Sequence, residues 1–227
     1  MLSQPESFSI TLKGSLNPTV YHPTWYYTIG QLSKDDATSV VNNTNVHVSP
    51  NSTSFSAPSF SIECDKKRWQ VKTHDRNARL RILNLTVKTF DDLLPETRLK
   101  QFGFTFAFCV EAVHEITLAY LSSLVHDLVP VEGKGEIATT ILFATSTDPV
   151  SQRKVRIQSL PGVNKALLTF SFVYALPEER IFTLKQMSIA EDYELDYEEA
   201  VTRAEQIAYK LMNVKQQERK DSTVRGN

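Results

Sequence analysis

The spacing of apolar and polar positions changes period several times along this chain. In residues 8–16, Phe8, Ile10 and Leu12 alternate with Ser9, Thr11 and Lys13, the signature of a half-buried strand. Asn17-Pro18-Thr19-Val20-Tyr21-His22-Pro23 is a proline-punctuated turn. Trp25 to Leu32 reads as a second, aromatic-rich strand or an extended segment, and Ser33 to Ala37 as one capped helical turn. The Asn-, Ser- and Thr-rich stretch 42–59 is either a flexible loop or, as favoured here, weak strands around Val46, Val48 and Phe55 joined at Pro50-Asn51-Ser52. A hairpin follows, with Phe60, Ile62 and Cys64 on one strand, Asp65-Lys66-Lys67 as the turn, and Trp69, Val71 and Thr73 on its partner.

The period then switches. Leu80, Leu83, Val87, Phe90 and Leu94 recur at helical spacing over 78–94, and Pro95 stops that helix. Residues 99–110 return to period two: Phe102, Phe104, Phe106, Phe108 and Val110 share one face, and Gly103, Thr105, Ala107 and Cys109 the other. A second helix is expected at 112–128. Three strands around 137–143, 155–159 and 168–174 come next, with links short enough to imply an antiparallel meander. A third helix spans 195–217, with Tyr197, Val201, Ala204, Ala208 and Leu211 on one stripe.

This order breaks the strict βαβα alternation of a parallel fold and predicts an α+β domain: an antiparallel sheet of about seven to eight strands with three helices on one face. It runs over 1–217 as a single domain, followed by a polar tail at 218–227. Two similar β-β-α halves, dividing near 110–130, are an open alternative, although no residue-level repeat is visible.

Composition narrows the class without changing the fold. The 227 residues are 41% hydrophobic, with 25 Lys+Arg against 26 Asp+Glu and a net charge of −1, which argues against a disordered chain or a histone-like polycation. Met1 to Glu6 lacks the basic and apolar regions of an export signal, and no apolar run approaches the ~20 residues of a membrane span. The expected location is cytoplasmic, with no membrane partner.

Catalytic chemistry is not legible. Gly133-Lys134-Gly135 lacks phosphate-loop spacing, and G-x-S-x-G is absent. His22, His47, His74, His114 and His126 do not fall at metal-ligand spacing. Cys64 and Cys109 sit in alternating apolar runs and read as core filler. The expectation is no catalytic residue, no metal and no cofactor.

Charge along the chain is more informative than its total. Residues 66–81 hold Lys66, Lys67, Arg68, Lys72, Arg76, Arg79 and Arg81 against Asp75 alone, and Arg153, Lys154 and Arg156 form a smaller cluster. The first segment is a candidate anion or nucleic-acid site through Lys66, Lys67, Arg68, Lys72, Arg76 and Arg79. The favoured reading of the segment is the solvated face of an edge hairpin. Residues 191–199 carry six acids and no base, so the two blocks are candidates to meet between copies. Tyr21, Trp25 and Tyr26 form a stiff aromatic loop that either caps the core or stands out as a contact knob.

Four stretches, Asn17-Pro18 to Trp25, Trp69 to Thr73, Leu94-Pro95 to Thr97, and Phe102-Gly103-Phe104 to Phe106, lie in the same order as in a family of uncharacterised prokaryotic proteins that this chain resembles over its first half. The family's usual Gly-[IL]-Asn is here Gly103-Phe104-Thr105. The layout is also distantly similar to SecB-type export chaperones, which implies an oligomer with an antiparallel sheet; no catalytic residue carries over. The functional expectation is a non-enzymatic protein-interaction or chaperone-like subunit. It would act as a homo-oligomer or within a larger prokaryotic assembly, a defence-related one among the options. The alternative is a nucleic-acid-binding accessory subunit.

Overall fold

A computed structural model describes residues 5–42, 46–111, 140–146, 151–160, 165–176 and 193–209. They form one antiparallel sheet of nine strands: β1 (Ser7–Gly14), β2 (His47–Val48), β3 (Ser52–Ser56), β4 (Ser61–Asp65), β5 (Arg68–Thr73), β6 (Leu99–Glu111), β7 (Thr140–Ser146), β8 (Ser151–Leu160) and β9 (Lys165–Ala175), in the order β2-β3-β4-β5-β1-β6-β9-β8-β7. Eight of them have five or more residues, as the sequence pattern implies, and the α+β class holds. The helices are α1 (Pro23–Thr28), α2 (Lys34–Asn42), α3 (Arg79–Val87) and α4 (193–209). The helix expected at 112–128, residues 137–139 of the expected strand, residues 210–217 of the third helix, the links after residues 146 and 160, and the tail at 218–227 lie outside the described residues.

Period-two alternation decides which face is core. β1 is in register with β5 and β6 through Ile10↔Val71 and Ile10↔Phe104, and β6 with β9 through Phe104↔Phe172. One face therefore collects Phe55, Ile62, Val71, Trp69, Ile10, Phe104, Phe106, Phe170 and Phe172, all buried. Each large apolar side chain contributes roughly 1.5–3 kcal/mol on burial. The helices cover this face. From α1, Tyr26 packs on Phe55; beyond α3, Phe90 packs edge-on to Trp69; from α4, Tyr193 packs on Phe8, Phe104 and Phe106.

The expected strand at Trp25–Leu32 is instead α1, and local chemistry explains the difference. The His22 ring accepts the Trp25 amide at 3.2 Å, and Pro23 takes the first helical position, where its missing N–H costs nothing. At the far end the Gly30 amide donates to the Tyr27 carbonyl and the Gln31 amide to the Tyr26 carbonyl. Gly30 has φ of 71°, which completes a Schellman stop. The apolar stripe of the 78–94 helix is also rotated: Leu80 is 60% exposed, while Ile82, Leu83, Leu85 and Phe90 are buried. α3 widens into a single π turn over Lys88–Leu93 and ends before Pro95.

The sheet order reveals a topological repeat. β1 is followed by a meander, β2 to β5, whose last strand returns beside β1 and leads into α3. β6 is followed by a meander, β7 to β9, whose last strand returns beside β6, with α4 further along the chain. β1 and β6 pair antiparallel at the centre. The division between these two units falls between Leu93 and Leu99, upstream of 110–130.

Candidate functional site

The face of the sheet opposite the aromatic core carries no described helix. Its centre holds Thr11, Thr105, Cys109, Thr169, Ser171 and Val173, all half-buried, with Ser9, Gly103 and Ala107 more enclosed among them. Thr105 and Ser171 share a hydrogen bond at 3.1 Å, and the Gln70 amide nitrogen donates to Thr11 at 3.2 Å. Gly103 is there because an added Cβ would stand 2.5 Å from the Phe172 carbonyl oxygen. The result is a surface of mostly small residues, with the larger Leu167 beside Cys109. Basic side chains flank it, with Arg68 and Lys72 on β5 and Lys13 on β1, then Lys154 and Arg156 on β8. Four strand spacings separate β5 from β8, about 19 Å, so one small anion cannot touch both wings.

The basic segment 66–81 does not form one patch. β5 alone spans six residues, about 20 Å, and it sends the bases to different places. Lys66, Lys67 and Arg68 lie at one end of the sheet. Lys72 projects from the helix-free face, with Arg68, Gln70 and His74 on the side opposite Trp69 and Val71, as the alternation predicts. Arg76, Arg79 and Arg81 lie at the other end. There the Arg79 guanidinium stacks 5.0 Å over the Tyr197 ring. Arg81 donates to Ser59 at 2.9 Å and to the Gln31 carbonyl at 3.3 Å, and pairs with Asp36 at 3.4 Å.

Sequence adjacency hides a different cluster. Lys13 is directly opposite Arg68 in the β1–β5 register. The Gly14 amide donates to the Lys67 carbonyl, Leu16 to Lys66, and Ser15 to Arg98. Gly14 permits this approach, since a Cβ there would lie 2.2 Å from the Arg98 carbonyl oxygen. Lys13, Lys66, Lys67, Arg68 and Arg98, all exposed, are thus gathered at one corner of the sheet. Asp65 spends one carboxylate oxygen on the Lys67 and Arg68 amides at 2.7 and 2.8 Å, and Glu63 pairs with Arg68 at 3.4 Å. Lys13 and Arg98 lie far from residues 66–68 in the chain, and only strand register brings them there.

The aromatic loop is core, not a knob. Tyr21 is 2% exposed and Tyr26 0%, while Trp25 is half-buried with its ring edge-on to both. The buried Trp69 indole N–H donates to the Tyr26 hydroxyl at 3.1 Å. Burial pushes the Cys64 thiol up to about 12, with nearby Asp65 adding to the effect, and drives both tyrosine hydroxyls well above their ordinary range.

The acidic block at 191–199 is also used within the chain. The Tyr174 hydroxyl donates to buried Asp196 at 2.6 Å, and Glu199 pairs with Arg153 at 3.3 Å and Arg203 at 2.8 Å. The Tyr174 and Arg153 contacts tie α4 to the sheet, and the ion pairs of Glu199 use bases that lie outside 66–81. Among the described residues no three His, Cys, Asp or Glu side chains gather as a metal would need, and no helix is long and apolar enough to cross a membrane. In comparisons with known proteins, the chain matches no protein-family model, and no curated protein matches it in sequence.

Proposed function

We propose that this protein is a non-enzymatic interaction subunit, chaperone-like in holding a partner polypeptide, and that it acts as a cytoplasmic oligomer or inside a larger prokaryotic assembly. One observation carries the reading: among the described residues the sheet is one-sided. Every described helix and the buried aromatic payload lie on one face, while the other offers a field of half-buried, mostly small residues with hydrogen-bonding hydroxyls and basic flanks. Such a field matches a polypeptide that is extended or flat and carries acidic groups at its margins.

The test is to place bulk and charge at the centre of that field. Ser171→Arg should abolish the ability of the purified protein to keep a chemically unfolded client from scattering light, while its thermal midpoint stays within a few degrees of the parent. A parent chain that holds no client, or an S171R chain that holds it equally well, overturns the reading. A second reading, an accessory subunit that binds a nucleic-acid backbone, is favoured by the gathering of Lys13, Lys66, Lys67, Arg68 and Arg98 at one corner. Like charges directly opposite on paired strands are destabilising, and Lys13 with Arg68 is such a pair. The absence of aromatic side chains from the helix-free face among the described residues argues against base stacking there and limits this reading to phosphate contacts.

A further inference from the structure

The two outer edges of the sheet are finished differently. Superposing the topological repeat on itself matches β5 with β9, β4 with β8, and β3 with β7. In the first unit the outer edge of β3 is covered by β2, through His47↔Ser54 and Val48↔Thr53. In the second unit no strand among the described residues pairs with the outer edge of β7. Among the described residues the equivalent slot beside β7 is open.

The sequence of β7 does not protect that edge. Thr140-Ile141-Leu142-Phe143-Ala144-Thr145-Ser146 has no charge, no proline and no glycine, so it lacks the usual devices that keep edge strands from pairing. β2, by contrast, is two residues long and is followed closely by Pro50. The apolar face also thins toward β7. Phe170 and Leu168 on β9 are buried at 1% and 0%, but their β8 neighbours Val155 and Ile157 are only half-buried. Those two stand in register with Phe143 and Ile141 of β7. Beside this wing, Arg153 and the outer side of α4 line an open groove of about 490 Å³ that carries both signs of charge, Arg153 and Arg203 with Glu198 and Glu199.

We propose that β7 pairs antiparallel with β7 of a second copy about a two-fold axis at Phe143, giving a continuous sheet through the dimer. This rests on the oligomeric part of the function proposed above and names its interface. A second copy fits because the pairing is self-complementary. It sets Leu142 opposite Ala144 of the partner subunit and Ile141 opposite Thr145 of the partner subunit, uncharged against uncharged. The paired strand repeats on β7 what β2 does for β3.

Sedimentation of the full chain tests this. The expected species has twice the 25.7 kDa monomer mass. Leu142→Lys with Ala144→Lys should weaken the dimer by about 100-fold or more. Leu80→Lys, at an exposed leucine of α3, should leave it unchanged. Because the double variant can fail by misfolding, Phe143→Cys supplies a second readout: mild oxidation should trap a disulfide dimer, which Leu80→Cys should not do. A chain that is monomeric at every concentration, with amides of 140–146 protected from exchange, would mean that its own residues cover the edge, and the proposal fails. It fails equally if the dimer survives the double lysine change and Phe143→Cys does not cross-link. A monomer that still holds client removes this interface but not the proposed function. A dimer through β7 that holds none does the reverse.

Discussion

Tyr26 shows how much one hydroxyl can do in a core that excludes water. Its ring packs against Phe55 and Trp25, and its oxygen accepts the indole N–H, the one polar side-chain group of the fully buried Trp69. Tyr26→Phe keeps the shape and orphans the indole N–H, a cost of about 1–3 kcal/mol. At about 2–4 °C per kcal/mol for a chain of this size, the thermal midpoint should fall by roughly 2–10 °C. The same burial makes stability pH-dependent in a defined direction. Tyr21, Tyr26 and Cys64 all have their proton-release ranges raised in the folded state, so the fold favours their neutral forms. The unfolded chain releases the Cys64 proton near the ordinary value of 9.0, whereas the folded chain keeps it up to about 12. Stability contributed by this group is therefore complete below about pH 9 and is lost as pH rises toward 12. Urea midpoints should be level between pH 7 and 8.5 and lower at pH 10.5, and Cys64 should resist thiol reagents at pH 8 until the chain unfolds.

At the scale of elements, strands were easier to read than helices, and the reasons are local. Alternation in β1, β5 and β6 is set by one buried face, so Phe8, Trp69 and Phe104 each announce their neighbours two residues away. α1 hid behind Trp25-Tyr26-Tyr27, residues that favour strands by propensity. Its true signals were a histidine cap, a proline at the first position and a glycine just past the end. The rotated stripe of α3 has a similar source. Leu80 fits a helical period, but Ile82 and Leu85 fit it too, and the packing of α3 against β1 and β5 decides which side is buried. The candidate face was half-legible. Gly103, Thr105, Ala107 and Cys109 were visible as a small-residue side of β6, but the corner of Lys13 and Arg98 with Lys66 depends on register between distant strands. The two glycines that shape these elements should respond differently to alanine. Gly30 has open space around it and only its positive φ to defend, so Gly30→Ala should cost about 1–2 kcal/mol. Gly103→Ala meets backbone at 2.5 Å and must push β6 from β9, so its urea midpoint should fall further than that of Gly30→Ala.

On the scale of the whole molecule, a net charge of −1 conceals a strongly sided distribution. The acids of 194–199 and the bases Arg79 and Arg153 lie together on the helical side, where Glu199–Arg153 and Arg79–Tyr197 fasten α4 over the aromatic core. That leaves Lys13, Lys66, Lys67, Arg68 and Arg98 as the exposed cations of one corner, held there by the Gly14 and Ser15 backbone. The corner, rather than the whole of 66–81, is then where a polyanion should be felt. Binding of a single-stranded oligonucleotide at low salt should be weak and independent of base sequence, and it should fall as salt rises. Lys67→Glu with Arg98→Glu should lower the salt slope by about two. Arg76→Glu, an exposed base at the opposite end of β5, should leave both affinity and slope unchanged. If Arg76→Glu proves as damaging as the corner pair, the anion follows the linear segment and the corner has no special role. If titrations are flat even at low salt, the nucleic-acid reading falls, and the basic corner serves as a charged rim that steers an acidic protein partner onto the helix-free face.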